Sequence, residues 1–333
     1  MVRNLYDKPI PELQKKRGSF QKKKKMIIIA GPTAAGKTEA SLIIGKAIGG
    51  EIVSADSLQL YRGTDIGSAK ATSEERKSLP HHLLDVCDIR EYFSVVNFHD
   101  EVTSSCQEIF NHNSTPIIVG GAGFYIHTIL YGPPKGPASD PVLRKSLEED
   151  VDRYGLEMLF GKLKSLDPDY AETITSSDRH KIIRALEIMA LTGKKVSEIP
   201  KPSREDAPQD IDFRCWFLHH PKEVLYTRIE DRCDKMIDDG LLDEVVRLKD
   251  EGLLNNPSAA NAIGYRQALA FLETRQTDAD WEVFVQNFKK ASRHYAKRQF
   301  TWFRKEPLFR WIDLSAVSME KACEIIISDF EEN

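Results

Sequence analysis

The segment Gly31-Pro-Thr-Ala-Ala-Gly-Lys-Thr38 has the spacing G-x-x-x-x-G-K-[ST] of a loop that cradles phosphate, and it directly follows the apolar run Met26-Ile-Ile-Ile-Ala30. Glycines let the backbone curl so that successive N–H groups converge on an anion. The helix that follows adds the positive end of its dipole, and Lys37 adds a point charge. Thr38 carries the hydroxyl that such a loop offers to magnesium. Gly31, Pro32, Thr33, Ala34, Ala35, Gly36, Lys37 and Thr38 are therefore the expected seat of a di- or triphosphate, as in nucleotide- and ATP-binding proteins. The pattern does not say which compound binds or what is done to it.

A second carboxylate-bearing stretch follows the next strand-like run, Glu51 to Ala55: Asp56-Ser-Leu-Gln-Leu-Tyr-Arg-Gly63, continuing Thr64-Asp-Ile-Gly-Ser-Ala-Lys70. In a doubly wound sheet the strand C-termini line the ligand crevice, so Asp56 should face whatever sits on the phosphate loop. There it could ligate magnesium or accept a proton; standing alone, it could equally cap the next turn. The third strand-like run, Pro116 to Val119, ends in Gly120-Gly-Ala-Gly123 where a standard ATPase places a magnesium-binding Asp, which weakens a nucleotide-hydrolase reading. Glycines there would let a backbone approach a ligand closely, with Tyr125 stacking or packing nearby.

The elements that position these residues alternate: strand Met26 to Ala30, a helix after Lys37, strand Glu51 to Ala55, a helix near Phe98 to Asn111, and strand Pro116 to Val119. This is the pattern of a parallel sheet covered by helices. The cluster Gly132-Pro-Pro-Lys-Gly-Pro137 interrupts it, and Pro141 to about Gly193 reads as helical without a strand. Phe213 to Leu218 then looks like a return to the sheet, followed by helices at Lys222 to Met236, Leu241 to Lys249, Tyr265 to Leu272 and Trp281 to Phe303. The expected fold class is α/β, a P-loop NTPase-like parallel sheet flanked by helices with an inserted helical subdomain. The expected division is 1–25 a disordered basic tail, 26–136 the first part of the core, 137–208 the insertion, and 209–333 core completion and C-terminal helices.

With 333 residues, 41 % hydrophobic and 29 % charged, the chain can bury a substantial core. A net charge of −4 argues against a uniformly basic nucleic-acid coat protein, so any RNA contact must come from local clusters. Five widely spaced cysteines without C-x-x-C pairs indicate neither a disulfide framework nor a zinc module and suit the cytoplasm, and no apolar stretch approaches membrane-spanning length. Between Lys289 and Lys305 there are seven Lys or Arg and no acid, interleaved with Tyr295, Trp302 and Phe303. Such a helix suits phosphate contact and base stacking, although part of the charge would be plain solvated surface. The lysine run Lys22 to Lys25 is a solvated segment or an electrostatic aid to RNA binding. His81 and His82 lack further ligands at metal spacing and read as structural.

Seven blocks in order resemble the tRNA dimethylallyltransferase family: the phosphate loop, Asp56 to Lys70, His81-His-Leu-Leu-Asp85, Gly120-Gly121, Asp178 with Arg184-Ala-Leu-Glu187, Gly264-Tyr-Arg266, and Arg293-His-Tyr-Ala-Lys-Arg-Gln-Phe-Thr-Trp302. The resemblance runs from about Met26 to Leu314. It implies transfer of a dimethylallyl group from its diphosphate to the exocyclic amine of the adenosine immediately 3′ of the anticodon. On this resemblance the loop holds the prenyl diphosphate, Asp56 is the general base, and Lys37, Thr38 and Arg144 stabilise the departing diphosphate, with magnesium beside Thr38.

It also implies tRNA contacts at Asp56, Ser57, Leu58, Gln59, Ala122, Arg144, His180, Lys181, Ile182, Ile183, Arg184, Lys297 and Arg298, with Asn261 to Arg266 as a further contact. Ala122 departs from the family, which has Thr or Ser there with its hydroxyl in the reaction centre; a backbone N–H or a water would take over that contact. The expected partners are the tRNA anticodon stem-loop and dimethylallyl diphosphate, with no membrane, for a monomer. Two other readings share the phosphate loop: prenylation of free adenine nucleotides, and a small-molecule kinase, which gives the later blocks no role.

Overall fold

The computed structural model describes residues 23–332; the rest of the expected basic tail, residues 1–22, lies outside the described residues. Strand β1 (Lys24–Ala30) leads through the phosphate loop into α1 (Lys37–Ile48), followed by β2 (Gly50–Ser54), α2 (Ser73–Ser78), β3 (His81–His82), α3 (Val95–Asn111), β4 (Thr115–Gly120) and α4 (Gly123–Tyr131). Four helices come next without a strand: α5 (Pro141–Tyr154), α6 (Leu156–Leu166), α7 (Pro168–Ala171) and α8 (Arg179–Thr192). The chain rejoins the sheet as β5 (Ile211–His219) and continues through α9 (Lys222–Asp238), α10 (Leu241–Asp250), α11 (Pro257–Ala260), α12 (Tyr265–Leu272) and α13 (Asp278–Phe303). It finishes with β6 (Arg310–Asp313) and α14 (Met319–Glu331).

The six strands lie in the order β3-β2-β4-β1-β5-β6, and every pairing is parallel. The β-branched run Ile27 to Ile29 is fully buried because β1 is central and covered on both faces. Ile28 and Ala30 point to the layer made with Phe98, Val102 and Ile126 from α3 and α4. Ile27 and Ile29 point to the layer made with Ala40, Ile44 and Ile326 from α1 and α14. A third cluster joins α9, α10, α12 and α13 to the loop after β2 through Leu58, Leu60, Tyr61, Ile229, Val245, Tyr265 and Phe288. Helices α5 to α8 close on a core of their own around Leu147, Leu163, Ile182, Ile183 and Leu186, so they form an inserted helical subdomain.

The α/β architecture and its helical insertion follow the sequence pattern, with the following differences. Lys24 and Lys25, expected in the tail, open β1 and pair with Ile211 and Asp212 of β5. The Lys25 ammonium also donates to the carbonyls of Phe330 and, at 2.6 Å, Glu332 at the end of α14. Strands β3 and β6 and helix α14 have no counterpart in the sequence pattern; two- and four-residue strands are too short to show a period. No described helix is long and apolar enough to cross a membrane.

Candidate active site

A crevice of about 930 Å³ opens where the strands end, between the loops after β1, β2 and β4 on one side and α9 and α13 on the other. Its lining brings together Thr33 to Thr38, Asp56 to Gln59, Gly120 and Gly121, Arg228 and Arg232, and Tyr295, Arg298 and Gln299. A ligand site outside the carboxyl ends of a parallel sheet is where this topology places one.

The phosphate loop turns into α1 at Gly36, whose φ of 91° is left-handed, and Ala34 adopts φ 63°. Side chains from distant helices hold this shape. Arg228 Nε donates to the Ala34 carbonyl at 2.9 Å, and Gln299 Oε1 accepts the Thr33 N–H at 3.1 Å. Lys37 Nζ donates to the carbonyls of Gly31 at 3.0 Å and Pro32 at 2.8 Å. Burial lowers the Lys37 pKa to about 7, with the Arg232 charge adding to the fall and the Asp56 carboxylate opposing it.

Arg232 is a site residue that sequence reasoning missed, as are Arg228 and Gln299. Its Nε is buried and has no hydrogen-bond partner among the described residues. Burial lowers its pKa while Asp56 raises it. A guanidinium does not discharge in a protein, so Arg232, with Lys37 beside it, leaves the site short of negative charge. That deficit suits a diphosphate. The available clue lay in α9 itself: Arg232 stands beside the buried positions Ile229, Cys233 and Met236, where a charge needs a partner.

Asp56 both caps the following turn and faces the crevice. Its Oδ1 accepts the N–H of Leu58 at 2.8 Å and of Gln59 at 3.4 Å, capping the turn, while the residue lines the crevice with Lys37 and Arg232. Leu58 is buried, so of the Asp56 to Gln59 stretch Asp56, Ser57 and Gln59 offer side chains to a ligand. The Thr38 hydroxyl, in the first turn of α1, and the Asp56 carboxylate are hard oxygen donors on one crevice, a set that fits magnesium when a diphosphate supplies further oxygens.

The glycines after β4 have a different cause from the one expected. A Cβ on Gly120 would lie 2.2 Å from the Ala55 carbonyl oxygen, and one on Gly121 would lie 2.1 Å from Gln299 Nε2. The close approach is therefore to protein neighbours, although both glycines also border the crevice. Tyr125 stacks on Phe98 with ring centroids 4.0 Å apart. Ala122 is the N-cap of α4 and makes no side-chain cap.

Other expected site residues lie elsewhere. Arg144 sits on α5 of the insertion, where Nη1 donates to Ser139 Oγ at 3.3 Å and Nε lies 3.7 Å from Glu148; it does not line the crevice. Ile182 and Ile183 are buried in the insertion core, which leaves their side chains no RNA contact. Arg184 is spent on Glu187 and on the Pro137 carbonyl, whereas His180 and Lys181 are exposed at the start of α8. Lys297 and Arg298 are exposed, and Arg298 also borders a groove along α12 and α13 with Arg266, Lys290 and His294. Part of that basic helix is neutralised: Lys289 pairs with Asp234 and Arg293 with Glu230. His82 contacts Glu51 at 2.7 Å and His81 the Leu79 carbonyl at 2.8 Å, consistent with structural roles.

The family model described as IPP transferase matches residues 59–306. The chain is 55 % identical over 322 residues to the tRNA dimethylallyltransferase of Protochlamydia amoebophila, covering 96 % of this chain and 93 % of the relative. It is 43 % identical over 314 residues to that of Chlamydia felis, covering 94 % and 92 %. Among solved structures, the full-length tRNA isopentenylpyrophosphate transferase of Bacillus halodurans matches with a TM-score of 0.67 and 37 % identity, covering 92 % of this chain and 96 % of that one. A eukaryotic dimethylallyltransferase acting on tRNA matches with a TM-score of 0.74 and 26 % identity, covering 92 % and 79 %.

Proposed function

Because the chain belongs to the IPP transferase family and is a tRNA-modifying prenyl transferase, we propose that dimethylallyl diphosphate is its donor and that the acceptor is the exocyclic amine of the adenosine 3′ of the anticodon. The observation that carries this reading is the crevice in which an anion-deficient phosphate loop, with Lys37 and Arg232, lies beside the Asp56 carboxylate. One wall suits the leaving group and the other an acidifying nucleophile.

In this reading the loop amides, Lys37 and Arg232 bind the diphosphate and draw electron density from its bridging oxygen. As the C1–O bond breaks and the N6–C1 bond forms, the electron pair leaves with diphosphate and the amine proton passes to Asp56. An exocyclic adenine amine is a poor nucleophile, so both the base and the electrostatic stabilisation are needed. Thr38 would hold a magnesium ion, which would supply additional charge neutralisation to the leaving group. The adenosine must leave its stack to enter the crevice, at a cost of about a few kcal/mol. Exposed Lys297, Arg298, His180 and Lys181 hold the RNA backbone around it. Arg144 does not line the crevice, so a contact with the diphosphate would require the insertion to move once tRNA binds. The enzyme works as a cytoplasmic monomer.

The test is an assay containing magnesium and labelled dimethylallyl diphosphate, with unmodified tRNA and AMP offered in parallel, followed by nucleoside analysis. Label in the anticodon-adjacent adenosine of tRNA alone is the expected result. Label in AMP alone moves the activity to nucleotide prenylation, and phosphoryl transfer from ATP with no prenylation replaces it with a kinase.

A further inference from the structure

Glu244 lies on α10, outside every sequence block named above, and is only 5 % exposed. Its Oε2 accepts the N–H groups of Asp65 at 2.8 Å and Ile66 at 2.7 Å. Its Oε1 accepts the N–H of Gly67 at 2.9 Å and the Tyr265 hydroxyl at 2.5 Å. Four donors thus converge on one buried carboxylate. An amide side chain cannot replace it, because its NH2 would face an N–H. Tyr265 is fully buried, and a Cβ on Gly67 would lie 2.4 Å from its ring, so loop and ring are fitted to each other.

The loop held in this way forms one wall of the crevice: Gly67, Ser68 and Ala69 all line it. The carbonyls of Ser68 and Ala69 accept Gln59 Nε2 at 3.2 and 3.3 Å, and Gln59 Oε1 accepts Ser54 Oγ at 2.8 Å. The Gln59 N–H in turn donates to Asp56 Oδ1. Lys70 ties the far end of the loop to the Tyr61 carbonyl, Asp65 and Asp85. Hydrogen bonds, joined by short stretches of backbone, therefore connect Glu244 to Gln59, whose N–H lies 3.4 Å from Asp56 Oδ1. The phosphate loop is braced separately, by Arg228 and Gln299.

We propose that Glu244 is a positioning residue for the tRNA side of the reaction, holding the 65–69 loop so that Gln59 and Asp56 meet the incoming adenine. It touches neither substrate. The proposal rests on the reading of Asp56 as the acceptor's base. Because the hydrogen bonds that brace the two walls share no side chain, loss of Glu244 should be felt by tRNA more than by the prenyl donor.

The experiment is steady-state kinetics on the full chain carrying Glu244→Gln or Tyr265→Phe, with unfolding temperatures measured alongside. For Glu244→Gln, kcat/KM for tRNA should fall about 10-fold or more while KM for dimethylallyl diphosphate stays within about 2-fold. Tyr265→Phe removes one of the four donors and should show the same split at about 3-fold. Equal rises in KM for the two substrates, or an unchanged kcat/KM for tRNA in a folded variant, overturn the proposal. If Glu244→Gln does not fold, Tyr265→Phe decides by the same split. Asp56→Asn is assayed beside them: full activity there removes the base reading, while the Glu244 split still reports separately whether this loop is the acceptor wall.

Discussion

The side-chain carbonyl of Gln299, near the end of α13, accepts the backbone N–H of Thr33 in the phosphate loop at 3.1 Å. The same side chain donates through Nε2 to the Gly121 carbonyl at 3.0 Å. One buried amide thus fixes the spacing between the loop after β1 and the turn after β4. Gln299→Ala leaves both backbone groups without their partner and should cost about 1–3 kcal/mol of stability. It should also raise KM for the donor more than KM for tRNA. Calorimetric unfolding and paired kinetics check this, and equal rises in the two KM values would refute a role in shaping the donor loop.

Asp56→Ala should abolish transfer while leaving tRNA affinity within a few-fold. Filter binding with labelled tRNA, run beside the prenylation assay, separates the two effects. A variant transferring at full rate would show that the amine proton goes elsewhere.

Arg232→Ala should lower kcat/KM for the donor by roughly 10²–10³-fold, the scale seen when one preorganised stabiliser of developing charge is removed. Arg232→Lys should recover part of it, since a lysine restores the charge but not the guanidinium geometry. Indifference to either change would make this guanidinium, with its orphaned Nε, a structural cation.

Lys37 carries a pH prediction whose sign follows from its lowered pKa of about 7 against an ordinary 10.5. Between those values the unfolded chain holds the proton and the ligand-free folded protein does not, so this group makes stability rise with pH across that window. A bound diphosphate favours the ammonium. Binding at pH 8 should therefore take up a proton, and affinity should weaken as pH rises through about 7. Titration calorimetry in buffers of different ionisation enthalpy measures the uptake. Lys37→Met should abolish it; uptake that survives would have to be assigned to the ligand.

Charge reversal at Lys297 and Arg298 should weaken tRNA binding and reduce the salt slope by about one for each phosphate that is no longer neutralised. Binding measured over a range of salt concentrations tests this. A slope identical to that of the parent would make this exposed face a solvated one.

Much of the fold was legible because its cues are local. The strand-loop-helix of Met26 to Ala47, the glycine and proline punctuation around 132–137 and the return near Phe213 each announce themselves within a few residues. Asp56 could be placed at the crevice because a parallel sheet presents the ends of its strands there. Arg232, Gln299 and Glu244 could not be assigned partners in the same way. They lie on helices whose sequence shows only amphipathic spacing, and their partners are backbone groups or charges brought near by chain folding. Arg144 shows the converse: a likeness of motif suggested the diphosphate, and the insertion holds it against Ser139 and Glu148.

By itself, then, the sequence determined the strand-loop-helix around Gly31 to Thr38, the α/β alternation, the inserted helices and the family likeness, since each is written in residue types at short spacing. Only the tertiary structure decided that Arg232 Nε is buried without a partner and which loops are braced together. Burial and hydrogen-bond satisfaction are properties of surfaces that meet after folding, and no spacing along the chain encodes them.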